Sequence, residues 1–189
     1  MFKQLYTQPL GFVLAFAAVA LVGLGPQLAL ADTAAEIERD VNAALQELYA
    51  STPAAKRQAE AAKAIMVFPD VTKAGLMIGG TYGVGALRVD GKTVGYYRNV
   101  EGSYGLQAGI QKFGYALFFM NQKSLDYVQN ADGWEFGIGP SLTVVDEGLA
   151  SSLTNITGKD DVYAFFFDQK GLMGGLGLRG GKISKYTPD

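Results

Sequence analysis

The stretch Ala64–Val89, AIMVFPDVTKAGLMIGGTYGVGALRV, decides the fold. It opens on an apolar run, turns at Pro69, and then carries glycines at close spacing. From Tyr82 the side chains alternate. Tyr82, Val84, Ala86 and Arg88 fall on one face of an extended chain, and Gly83, Gly85, Leu87 and Val89 on the other. This pattern predicts a β-strand with one face partly stripped of side chains. Glycine weakens a strand, so its repetition needs a physical reason. Three present themselves: strong sheet curvature, close packing of a helix, or a shallow slot that admits an acyl chain or another backbone.

Downstream, the glycine-bearing strand recurs with variations. Asp90-Gly91 is a two-residue hairpin signal, because both turn positions require positive φ. Val94–Val100 then returns antiparallel, and Gly102–Ile110 alternates again. Tyr115–Met120 is apolar on both faces and reads as a central buried strand. Asn121 caps a short helix to Asn130 that turns Leu125 and Val128 inward. Trp134–Val145 alternates with Pro140 inside it, which suggests an edge or a bulge. Val162–Phe167, Leu172–Arg179 and Lys182–Tyr186 complete the strands, with turns at Gln169–Gly171 and Gly180-Gly181.

Upstream lie two helices. Thr33 and Glu36 have capping-box spacing, and Ile37, Val41, Ala44, Leu45 and Leu48 form one apolar stripe opposite an acidic face. Thr52 and Pro53 start a second, alanine-rich helix running to about Ala64. Lys56, Arg57 and Lys63 make this helix locally basic, with Lys73 just beyond. Either Glu60 pairs with them in a surface ladder or they form a small basic surface for anionic headgroups. The fold expected is α+β: two N-terminal helices packed on a curved, glycine-rich antiparallel sheet or barrel-like core of about seven or eight strands, with one short helix inserted.

The first residues read as a leader. Lys3 precedes an apolar segment, Gly11–Gly25, and Ala29-Leu30-Ala31 fits a small-x-small cleavage pattern. The expected organisation is a signal peptide over 1–31 and a single domain over 32–189, helical over 33–64 and mainly β over 65–189. Of the 189 residues, removal of Met1–Ala31, which holds only Lys3, leaves 158, with 15 basic against 18 acidic side chains. So mild a balance argues against a nucleic-acid partner. An apolar fraction of 49% is too high for a disordered chain.

Cysteine and histidine are both absent, which excludes thiol catalysis, disulfides, zinc held by those ligands and a Ser-His-Asp triad. The remaining candidate acids, Asp132, Asp146, Glu147, Asp160 and Asp161, sit in polar loops without a recognisable nucleophile motif. No enzymatic activity, cofactor or metal is expected.

Several motifs in order resemble the SYLF family of lipid-binding domains. They are Val67-Phe68-Pro69 through Lys73-Ala74-Gly75, Ile78-Gly79-Gly80 with Tyr82-Gly83, Gly95-Tyr96-Tyr97, Ser103–Gly109, Leu117–Met120, Asp132-Gly133-Trp134 and Asp168–Gly174. Together they span nearly all of Ala62–Lys185. The resemblance implies a membrane-lipid ligand, phosphoinositide in eukaryotic members, and lipid contact through the N-terminal helical part. For an exported bacterial member it implies an anionic phospholipid such as phosphatidylglycerol or cardiolipin, no actin partner, and a periplasmic or secreted location. The lipid-binding residues expected are Lys56, Arg57, Lys63 and Lys73. A protein-interaction scaffold and a small outer-membrane β-barrel stand as alternatives; protein partners are left unassigned.

Overall fold

The computed structural model describes residues 32–145, 160–171 and 181–189, with the side chains of Leu76, Met77, 103–108 and Gly171 left out. The leader and the strand expected over Leu172–Arg179 lie outside the described residues. Within them the protein is α+β, with three helices and a sheet that curls into a half-barrel.

Helix α1 (Ala34–Ser51) begins at the expected capping box. Thr33 Oγ1 accepts from the Glu36 amide at 3.3 Å, and Glu36 Oε2 accepts from the Thr33 amide at 3.0 Å. Its stripe of Ile37, Val41, Ala44, Leu45 and Leu48 is buried. Helix α2 (Pro53–Ala61) buries Ala54, Ala55 and Gln58. Thr52 does not cap it through its side chain; Pro53 alone marks the start, since its missing N–H would have had no partner there. Helix α3 (Gln122–Asn130) is capped by Asn121, whose side chain accepts from the Ser124 amide at 2.9 Å.

The sheet is built on one hairpin. Strands β1 (Ala64–Val89) and β2 (Lys92–Phe119) pair antiparallel from end to end around Asp90 and Gly91, both at positive φ. Three separately expected segments, 94–100, 102–110 and 115–120, therefore run as one strand, β2. The other edge of β2 is shared. Its start pairs with β6 (Lys182–Tyr186) and its end with β5 (Val162–Gly171). The turn expected at Gln169–Gly171 is instead the end of β5.

Trp134–Val145 departs from its expected alternation. It breaks into β3 (Trp134–Glu135) and β4 (Leu142–Val145). Gly137 and Gly139 adopt positive φ between them, and Pro140 cannot donate to a ladder. Ile138 is consequently exposed, and Val145 rather than Val144 is buried. β4 then joins β5 in parallel, so the sheet is not antiparallel throughout.

Both faces of this sheet contribute to a core. On the convex face Val67, Ala86, Ala116, Phe118 and Phe165 pack beneath α1 and α2. On the concave face Met66, Phe68, Leu87, Tyr115, Leu117, Trp134 and Ile183 form a second cluster with α3. Each large side chain so buried contributes about 1.5–3 kcal/mol.

Arg88 fastens α1 to the hairpin. It donates to Glu38 Oε2 at 2.8 Å and Asn42 Oδ1 at 2.7 Å, and the Tyr96 hydroxyl donates to Glu38 Oε1 at 3.2 Å. Burial raises the Glu38 carboxyl, but the adjacent Thr93 hydroxyl, Arg88 and Tyr96 outweigh it and hold it below its ordinary value of 4.5. A carboxyl lowered in the folded state stabilises the fold fully above its unfolded value and loses that contribution as pH falls through its folded value. Glu38→Gln should therefore flatten the dependence of the urea midpoint on pH below about 5. An unchanged pH profile would mean that this pair does not hold α1.

Candidate functional site

The long hairpin does not lie flat. An extra residue in β1 at Pro69-Asp70 and an irregularity between Leu76 and Ile78 bend it into an arch. Its two limbs meet at Gly83 and Gly85, both buried. A Cβ on Gly85 would land on the Val67 carbonyl oxygen. One on Gly83 would lie 2.7 Å from Val71 Cγ2 and 3.0 Å from the Asp70 oxygen. The backbone that approaches the glycine face here is thus the protein's own, from earlier in the same strand. No acyl chain can enter at these two positions.

Pairing fixes what each face of the arch carries. On the concave side Lys73 lies opposite Gln111, Thr81 opposite Glu101, and Gly83 opposite Asn99. On the convex side Tyr82 pairs with Val100, while Ala74 pairs with Ile110. Beyond the cover of the helices these convex side chains face outward: Ile78 is 72% and Ile110 64% exposed, with Tyr82 and Val100 about half exposed. Arg98, Lys112 and Lys182 are exposed around them. Lys112 pairs with Asp70 at 3.4 Å, and Arg98 donates to Ser184 Oγ at 3.2 Å. An apolar patch with a cationic rim results. Alternation by itself does not say which face turns outward. The available signal was the glycine face: a tightly curled strand puts its small residues inside and therefore its bulky ones outside.

The expected basic residues divide. Lys56, Arg57 and Lys63 are exposed on and just after α2. None of them forms an ion pair among the described residues, so the ladder with Glu60 is not formed. Lys73 is separated from this group. It lies ten residues beyond Lys63 along β1, roughly 30 Å of extended chain, and on the concave face near Glu101.

A cleft of about 230 Å³ lies between the start of α1 and β1, lined by Asp32, Asp40, Asp70, Tyr82 and Val84 among others. Burial and then the charges of Glu36, Asp40 and Asp70 raise the Asp32 carboxyl. This cleft disfavours anions, whereas the exposed Lys56 and Arg57 leave α2 open to them.

Two of the candidate acids, Asp160 and Asp161, have structural partners. Asp161 accepts from Asn121 Nδ2 at 2.7 Å and from the Ser141 amide at 2.9 Å, tying α3 to β4. Asp160 accepts from Thr143 Oγ1 at 2.8 Å. Asp132 is exposed, with no hydrogen-bond or ion-pair partner among the described residues, and Asp146 and Glu147 lie outside them. Among the described residues no cluster of three or more acidic side chains is arranged to hold a metal, and no helix is long and apolar enough to cross a membrane.

No known family model matches the chain, and no curated protein matches it.

Two predictions test the arch. Gly85→Ala should cost about 3 kcal/mol or more in thermal unfolding, because backbone must move. Gly102→Ala, with open space around it, should stay within about 0.5 kcal/mol. Equal effects would mean that the limbs do not touch. Ile78→Ser with Ile110→Ser should leave stability nearly unchanged and lower the fluorescence of bound anilinonaphthalene sulfonate. A large loss of stability would show that these side chains are packed.

Proposed function

We propose that this protein is an exported, envelope-associated lipid-binding protein of the SYLF type. The observation that carries this proposal is the apolar patch of Ile78, Tyr82, Val100 and Ile110 on the arch. Exposed apolar side chains that share one face of the hairpin suit contact with an apolar phase, since exposed apolar surface marks interaction sites. Cationic side chains at the rim suit phosphate-bearing headgroups. Lys56, Arg57 and Lys63 of the α2 region, without an ion pair among the described residues, supply a second electropositive surface. The ordered motifs from Val67 to Gly174 that resemble the family support the same ligand class. So does the leader ending at Ala31, which suits a protein acting outside the cytoplasm.

In this proposal the patch enters the interfacial region of an anionic membrane while the basic residues hold phosphates by screened Coulomb attraction. No catalytic step is involved. An outer-membrane barrel is not adopted, because α1 and α2 cover much of the outward face that would have to meet lipid.

Flotation with phosphatidylcholine vesicles, with and without phosphatidylglycerol, tests the proposal. Binding should require the anionic lipid and weaken as salt rises. Lys56→Glu/Arg57→Glu/Lys63→Glu and, separately, Ile78→Glu/Ile110→Glu should each reduce it several-fold. If the protein binds neither vesicle at low salt, it is not a membrane binder, and a protein-interaction role takes precedence.

A further inference from the structure

The concave side of the arch holds a set of polar atoms that the fold leaves unused. Thr81 Oγ1, Asn99 Oδ1, Gln111 Oε1 and Tyr115 Oη are all buried, and among the described residues none meets a partner at full hydrogen-bond geometry, although the Asn99 side chain comes close enough to the Tyr115 phenol to favour its ionised form. None of the four residues is more than 5% exposed. Leaving such an atom unpaired costs about 1–3 kcal/mol, and native proteins keep few of them. Here they belong to one concave surface. Thr81 and Asn99 are neighbours on one limb, while Gln111 and Tyr115 lie on the other.

The curl brings the limbs together. Tyr115 lies close to Asn99 and within the field of Glu101. Burial first, and Glu101 second, raise its phenol well above the ordinary range, which Asn99 partly offsets. Burial likewise raises the Glu101 carboxyl, against the opposing charge of Lys73.

The chemistry of this surface is specific. All four unpaired atoms are oxygens that accept; the two hydroxyls also donate. A partner must therefore donate several hydrogen bonds and accept others, as hydroxyl groups do. The opposite charges of Glu101 and Lys73 leave no net charge to select an ion. Phe68 and Tyr115 stack at 4.8 Å, and Tyr115 and Phe113 at 6.3 Å, giving the same wall an apolar aromatic side. We infer that the concave face of the arch binds a neutral polyhydroxyl group, through Thr81, Asn99, Gln111 and Tyr115. That group is either a free sugar or polyol, or the glycerol or sugar headgroup of a lipid. This site lies on the opposite face from the apolar patch and does not depend on vesicle binding.

The side-chain amide signals of Asn99 and Gln111 in ¹⁵N-labelled protein report on the site directly. They would be followed during titration with myo-inositol, glucose and glycerol, and separately with dihexanoylphosphatidylglycerol below its micelle concentration. Saturable shifts of both amide pairs are expected with at least one probe. A response to a free polyol identifies a soluble ligand; a response to the short-chain lipid alone identifies a headgroup. Tyr115→Phe and Thr81→Val change shape little and should each weaken the binding about five-fold. Absence of saturable shifts with every probe would overturn the inference. So would shifts that both variants leave unchanged. Either result would mean that these oxygens hold only trapped water.

Discussion

Much of the structure depends on one close approach. The backbone at Gly83 and Gly85 rests against Val67–Val71 of the same strand. A side chain at Gly85 would meet a main-chain carbonyl, so only the bare backbone allows the hairpin to close on itself. That contact sets the curl. It puts Tyr115 and Asn99 near one another inside, leaves Ile78 and Ile110 outside, and brings the Arg88 end of the hairpin back beneath α1. Flat-sheet geometry would give 26 residues of β1 a span of roughly 85 Å; the arch folds that length into a compact domain.

The curl also separates two kinds of surface by sign and polarity. Outside, bulky apolar side chains meet a basic rim. Inside, glycines let the backbone close on itself, and among the described residues several buried polar oxygens lack a partner at hydrogen-bond geometry. The acidic start of α1 adjoins the outer face at Tyr82, where Asp32, Asp40 and Asp70 crowd one cleft. The exposed Lys56 and Arg57 of α2 therefore present a different electrostatic surface from that cleft. The division follows from the period of two in a strand: once glycine is committed to the inner face, the alternate positions are committed to the outer one.

Much of the local structure was legible residue by residue. The Thr33–Glu36 capping box, the stripe from Ile37 to Leu48, the Asp90-Gly91 turn and the Asn121 cap each involve groups within four positions of one another. Such short-range chemistry is largely independent of the rest of the chain. The apolar run at Tyr115–Phe119 likewise declared a strand buried on both faces. Where the pattern misled, longer-range geometry intervened. Gly137, Gly139 and Pro140 interrupted an alternation that otherwise looked continuous, and three short strands fused into β2 because β1 offered a partner along their whole length.

The candidate site divides along the same line. Sequence by itself determined that Lys56, Arg57 and Lys63 form a basic segment, that no thiol or imidazole chemistry is available, and that one strand face is stripped to glycine. Only the tertiary structure decided what the glycines accommodate, which apolar residues remain outside, and that Lys73 belongs to the concave face rather than to the basic helix. The physical reason is that a strand's pattern fixes which residues share a face but not which way that face turns. Local irregularities and the glycine face permit the bend, but its closure rests on contact between Gly83 or Gly85 and the Val67–Val71 segment far earlier in the strand, a pairing that the local pattern does not name.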